Sequence, residues 1–334
     1  MDEDGFKTYL TERKSSEEII SEAIKLMRQF ELFLQTNYNE SISIDNATGE
    51  DAEKFVKKLI DEGENSLENL VTIARYGYFS RNERLYVSML ELVDGSDVGE
   101  VLFQKIGEAL GESKRDLLFI DTEIPPLGTP SKDKPKFTKN IMERMETELD
   151  TTTCQKILSE VAHGIPKDHY KKEREKFIEA GSLDEYLKRK RKQNISTLEK
   201  HREEGTLFFN QEITDEVLEY VMSRPDVLTG ERRGDVIYHT KIPFLAHKYL
   251  KEKDPQMKRY YACHCAWVRE TILQDDMDIS PNFCYCSGGF TKQPWEVAFG
   301  QNLEVRMVKS VLQGDTECAF ELPIPDEFLE ESGE

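Results

Sequence analysis

The chain has 334 residues, 65 of them acidic and 45 basic, for a formal charge of −20. With 38% apolar and 33% charged residues the composition is that of a soluble globular protein, and it excludes a membrane-embedded or disordered chain. At roughly 100–200 residues per domain the length predicts two domains, and a surface this acidic repels phosphate backbones, which argues against nucleic acid as a partner.

The opening decapeptide MDEDGFKTYL has neither a basic stretch nor an apolar core, so no secretory signal is expected. No run of about 18 apolar residues occurs, so no membrane span is expected either. These readings predict a cytoplasmic protein with its six cysteines reduced, where grouped thiols point to metal or redox chemistry before structural disulfides.

The first 120 residues carry apolar positions at helical spacing. Ser15 and Glu18 read as a capping box ahead of Ile20, Ile24, Met27, Phe30 and Leu34. Phe55, Val56 and Leu59 mark a second helix stopped by Gly63; Leu67, Leu70 and Ala74 begin another. Val98, Leu102, Ile106 and Leu110 mark a last one, ended by Gly111. The order and spacing of FKTYLTERKSSEEIISEAIKLMRQFELFLQ, NATGEDAEKFVKKLIDEG and NSLENLVTIARYGYF resemble the SAM-like core-binding domain of phage integrases, over roughly residues 5–110. That resemblance implies a helical bundle. Residues 1–130 hold 27 acidic and 14 basic side chains, so the charge argues against DNA clasping and for protein interaction, with homodimerisation through this domain as the expected form.

Residues 122–136 contain four of the twelve prolines and predict an extended, solvent-exposed linker. Beyond it the helical pattern resumes, and KRKRK at 188–192 is the one dense basic cluster, read as the solvated face of a helix. Thr214 is placed to cap a helix that Pro225 follows. After about residue 234 the signal turns to strands: DVIYHTKIPF, then RYYACHCAWV, then a closing hairpin of LEVRMVKSVL and ECAFELPIP about Gly314-Asp315. The expected class is α+β, an N-terminal all-α bundle followed by helices packed on an antiparallel sheet. The expected division is a helical domain over 1–121, the linker, a cysteine-rich α+β domain over 137–326 and an acidic tail over 327–334.

Cys263-His264-Cys265 and Cys284-Tyr285-Cys286 carry the chemical signal. In extended chain each pair of sulfurs would share a face, and two facing pairs would offer four thiolates to a tetrahedral ion such as zinc. One residue between ligands is tighter than the usual two to four, so a redox thiol site and chemically quiet buried cysteines stand as alternatives. Alternation turns His264 away from such a site. His163 and His169, in HGIPKDHY, are pocket candidates; Arg269 and Glu270 are candidates to orient a carboxylate or act as acid and base. Tyr260, Tyr261, Trp267, Phe283, Phe290 and Trp295 are the aromatic candidates for an apolar ligand pocket. Cys154 reads as core.

The segments HGIPKDHY, TKIPF, KRYYACHCAWVRE, SPNFCYCSGGF and SVLQGDTECAFELPIP resemble a family of uncharacterised bacterial and archaeal cytosolic proteins. More distantly, the last 45 residues resemble L-2-amino-thiazoline-4-carboxylic acid hydrolase-like proteins and 4-vinyl-reductase-type small-molecule-binding domains. The latter implies a zinc whose last ligand matches Cys318 and whose first matches Cys284 or Cys286. The Glu and Cys pair expected between them falls on Met307 and Ser310, so the usual metal set does not carry over. Two functions follow as expectations: a small-molecule-binding protein or sensor with a zinc site at Cys263, Cys265, Cys284, Cys286 and Cys318, or a metal-dependent hydrolase of a small cyclic amide or thiazoline-like substrate with Glu270 as base. A thiol redox protein is a third reading, without the C-x-x-C spacing such proteins use.

Overall fold

Capping chemistry starts most of the helices. Thr48 and Asp51 satisfy each other's backbone amides in a reciprocal capping box at the start of one helix, and its C-terminal residue is Gly63 in the left-handed conformation. Ser66, Asn82, Asp150, Ser182, Thr214 and Asp254 each accept a backbone N–H at a helix start. At the second helix the cap is Ser16, whose hydroxyl accepts from Ile19, and not the expected Ser15.

The computed structural model describes residues 1–37, 43–274 and 277–329, and the chain divides into two units. The first holds residues 1–96 and 125–134. Its helices are α1 (Glu3–Glu12), α2 (Glu17–Asn37), α3 (Gly49–Glu62), α4 (Leu67–Phe79) and α5 (Glu83–Val93). Phe6, Met27, Phe30, Phe55, Ile73 and Leu85 are fully buried at its centre, with Phe30 stacked on Phe55 at 4.5 Å. The proline-rich segment is not an exposed linker. Leu127 packs on this core, its carbonyl accepts from Asn65 at 2.8 Å, and a Cβ at Gly128 would lie 2.5 Å from Val56. Apolar burial of Leu127 and the absent side chain at Gly128 hold it down.

The second unit holds residues 97–124 and everything from 135 onward. Its boundary falls earlier than the expected 121. Helices α6 (Val98–Leu110) and α7 (Glu112–Leu118) bury Leu102, Ile106 and Leu118 with α8 (Pro135–Glu148) and α9 (Thr151–Val161), around Ile141, Met145, Cys154 and Trp267. Then come α10 (Lys172–Ala180), α11 (Leu183–Glu204), α12 (Asp215–Ser223), β1 (Glu231–Arg233), β2 (Val236–Thr240), α13 (Ala246–Lys251), α14 (Pro255–Ala262), α15 (Tyr285–Phe299), β3 (Arg306–Lys309) and β4 (Ala319–Pro323). The four strands form one antiparallel sheet in the order β1-β2-β4-β3, with Ile237 opposite Leu322 and Met307 opposite Phe320. The α+β class and the closing antiparallel pair thus stand as expected. A bulge between Met307 and Lys309 shifts the register. Of the expected tail, residues 330–334 lie outside the described residues. No helix among the described residues is long and apolar enough to cross a membrane.

One expected strand is largely helical. Asp254 caps α14 with Pro255 in its first turn, so RYYA is helix; Cys263 to Cys265 leave it, and Ala266 to Val268 form a turn. Ser280 likewise caps a short 3-10 turn, Pro281–Cys284, that runs directly into α15. A capping residue followed by proline is a helix-start signal, and here it overrides the alternation of apolar side chains. The basic run lies in α11 and is largely engaged. Lys188 and Arg189 pair with Glu185, Lys190 pairs with the buried Glu173 at 2.6 Å, and Arg191 donates to the Met222 carbonyl.

Candidate functional site

The end of α14, the start of α15 and the approach to β4 meet in the second unit. Cys263 ends α14, with Cys265 just beyond; Cys284 and Cys286 flank the first residue of α15; Cys318 immediately precedes β4. Pairing of β2 with β4 sets the last of these, because the Lys241 amide donates to the Cys318 carbonyl at 2.9 Å. The amide of Leu245 donates to the Tyr261 carbonyl at 2.9 Å, which ties the chain after β2 to the end of α14. All five cysteines line one cavity of about 20 Å³. That is room for one water-sized occupant and no more.

Burial dominates the chemistry of these thiols. It pushes Cys286 up to about 11 and raises Cys263, Cys284 and Cys318 as well. Charge on Cys265 and Cys318 further opposes ionisation of Cys263, and charge on Cys318, Cys263 and Cys265 opposes that of Cys284, which marks these four as close neighbours. Cys284 and Cys286 sit at the N-terminal end of α15, on either side of its first residue. All six cysteines are free thiols. Ser310 donates to the Cys284 sulfur at 3.1 Å, and the His163 amide donates to the Cys286 sulfur at 3.3 Å.

The cation that lines the cavity among the described residues is Lys241. Lys241 donates to Ser287 Oγ at 2.7 Å and stands 5.3 Å from the Phe290 ring centroid. Its charge favours the thiolate forms of Cys286 and Cys318 and disfavours the imidazolium forms of His163 and His264. Burial, then Lys241, holds His264 down at about 3, and its Nε2 lies 2.6 Å from the Ile242 carbonyl. Contrary to the alternation argument, His264 lines the cavity. The strand geometry behind that argument is absent.

Of the other expected site residues, Phe283 and His163 line the cavity and the rest do not. Phe290 touches it indirectly, with the His163 ring edge-on at 5.5 Å. Trp267 packs against Phe137 in one core, and Trp295 against Tyr186 in another. Tyr260 and Tyr261 contact each other, and His169 lies on Tyr170. Glu270 accepts from the Tyr260 hydroxyl at 3.0 Å and lies 3.6 Å from the buried Arg269. Neither borders the cavity, although the Arg269 charge acts on Cys263 and His264. An aromatic ligand pocket is therefore not assembled from these six rings, because core packing takes the two tryptophans. Lys241, Ser287 and Ser310 are the residues that sequence reasoning missed. Nothing local distinguishes them; strand pairing and the seating of α15 bring them in.

The donor set is thiol-rich and of single-ion size, which suits a soft or borderline metal. Among the described residues, no three His, Cys, Asp or Glu side chains are already drawn together as a metal shell. Binding would require the thiols to turn inward and release protons. Comparison with family models, with curated proteins and with solved structures returned no match for the chain.

Proposed function

We propose that the second unit binds one thiophilic metal ion, zinc before others, at the cysteine cluster, and that the protein acts as a metal-dependent binding or sensing protein. The observation that carries this reading is the meeting of Cys263, Cys265, Cys284, Cys286 and Cys318, from three separate segments, on one cavity of about 20 Å³ beside Lys241. Chance burial of cysteines scatters them through a core, as it does Cys154 among Ile157 and Leu158. Size argues against an organic ligand at this place, since pockets for organic ligands run from roughly 300 Å³ upward and even benzene needs a cavity of about 150 Å³. Glu270 is held by Tyr260 and Arg269 away from the cluster, so the hydrolase reading lacks a base at this site.

Elemental analysis of protein purified without an affinity-tag metal, combined with thiol titration in the folded state, tests the reading. About one zinc per chain, with cluster thiols protected until a chelator is added, is expected. Metal-free protein that takes up no Zn²⁺ and titrates all its thiols equally with and without the ion would overturn it.

A further inference from the structure

The turn between α9 and α10 brings to the cysteine cavity a buried ring nitrogen that has no hydrogen-bond partner, His163 Nε2. Ala162 and His163 both adopt left-handed backbone angles, φ 46° and 57°, and Gly164 follows at 76°. Such angles are uncommon for residues with a Cβ, and two in succession persist only where neighbours over-determine them. Here the His163 amide is fixed on Cys286 Sγ at 3.3 Å, the Ile165 amide on the Ala162 carbonyl at 3.1 Å, and the ring lies edge-on to Phe290. The outcome is an imidazole that lines the cavity with Nε2 buried and without a hydrogen-bond partner. Buried polar atoms are rarely left so. His264, the other ring at the cavity, has its Nε2 against the Ile242 carbonyl.

We infer that His163 Nε2 is a ligand to the ion held at the cysteine cluster, so that the centre is mixed nitrogen and sulfur, three thiolates and one imidazole, rather than all sulfur. This rests on the metal-binding reading above. The three thiolates come from Cys263, Cys265, Cys284 and Cys318, which line the same cavity, while the Cys286 sulfur is taken by the His163 amide. Charge balance supports the mixed shell. A divalent ion with four thiolates carries −2, and with three thiolates and a neutral imidazole −1. Lys241 supplies a single positive charge; Arg269 is offset by Glu270, and Glu317 is taken by Arg224 and Lys309. A buried centre that Lys241 can neutralise is the less costly one.

Substitution with Co²⁺ reads the shell directly, through ligand-field bands that depend on the number of sulfur and nitrogen donors. His163→Asn is the suitable variant, because Asn tolerates a left-handed backbone and shortens the side chain. The expected result is a tetrahedral three-sulfur, one-nitrogen spectrum for the wild-type protein, with shifted bands in His163→Asn. Co²⁺ affinity should fall by more than the roughly 10–100-fold that loss of an outer-shell partner costs. X-ray absorption of the wild-type Zn²⁺ form should count three sulfurs and one nitrogen, a readout that needs no variant to fold. Four sulfurs in the wild-type form, or identical Co²⁺ spectra for both proteins, would overturn the assignment of His163 while leaving metal binding intact. Failure of the wild-type protein to take up either ion would overturn both.

Discussion

Ser310 Oγ donates to Cys284 Sγ across 3.1 Å, with both residues buried, and the same oxygen accepts from the Leu312 amide at 3.2 Å. Ser310 stands where a metal ligand is expected from the resemblance to vinyl-reductase-type domains. Here it positions a sulfur of the cluster. Ser310→Ala strands the Leu312 amide and removes the sulfur's donor, at a cost of about 1–3 kcal/mol. The urea midpoint of the transition that includes the second unit should fall accordingly; an unchanged midpoint would contradict the role.

Gly289 decides how closely α15 approaches α9. A Cβ there would lie 1.9 Å from the Ser159 carbonyl oxygen and 2.7 Å from its carbon, both backbone atoms. Helix propensity favours alanine over glycine by about 1 kcal/mol, yet overpacking against an immovable neighbour costs about 1–3 kcal/mol or more. Gly289→Ala should therefore destabilise, with a lower melting temperature and faster native-state thiol reaction as α15 is displaced from the cavity. A more stable variant would show that propensity wins and that the approach is looser.

Lys241 is the cation that faces Cys286 and Cys318. Lys241→Met keeps much of the side chain's apolar length and removes its charge. Zn²⁺ affinity should drop about 10–100-fold, as for other outer-shell partners. Competition with a chromophoric chelator measures this. Equal affinity in the two proteins would mean that the ammonium does not offset the charge of the centre.

His264 and His239 are held neutral by burial, at about 3 and about 4, with Lys241 and Lys190 respectively adding to the effect. Both pKa values lie below the unfolded value near 6.5. Between that value and about 4 the unfolded chain binds more protons than the folded one, so stability is greatest above pH 6.5 and is lost as pH falls. The slope is about 1.4 kcal/mol per pH unit for each histidine. Urea titrations from neutral pH down to about 4 should show this decline, and His264→Gln should make it shallower. A slope identical to wild type would place the acid sensitivity elsewhere.

Sequence by itself determined the elements whose signals are local. The stop at Gly63, the cap at Thr214 and the strands about Ile237 and Phe320 all follow from side chains acting on nearby backbone or alternating across a sheet. It also singled out the five cysteines that line one cavity in the structure. Their geometry was beyond it. Alternation predicted a strand where Asp254-Pro255 starts a helix, and the four-thiolate geometry required extended chain where Ser280-Pro281 starts another, because a cap and a proline act at the first turn whereas alternation needs a partner strand to matter. Only the tertiary structure decided that these sulfurs meet. The β2–β4 pairing carries Lys241 to Cys318, the seating of α15 on α9 carries in Cys284 and Cys286, and a left-handed turn aims His163. Each is a contact between residues far apart in the chain, fixed by packing and by backbone hydrogen bonds that no local spacing encodes.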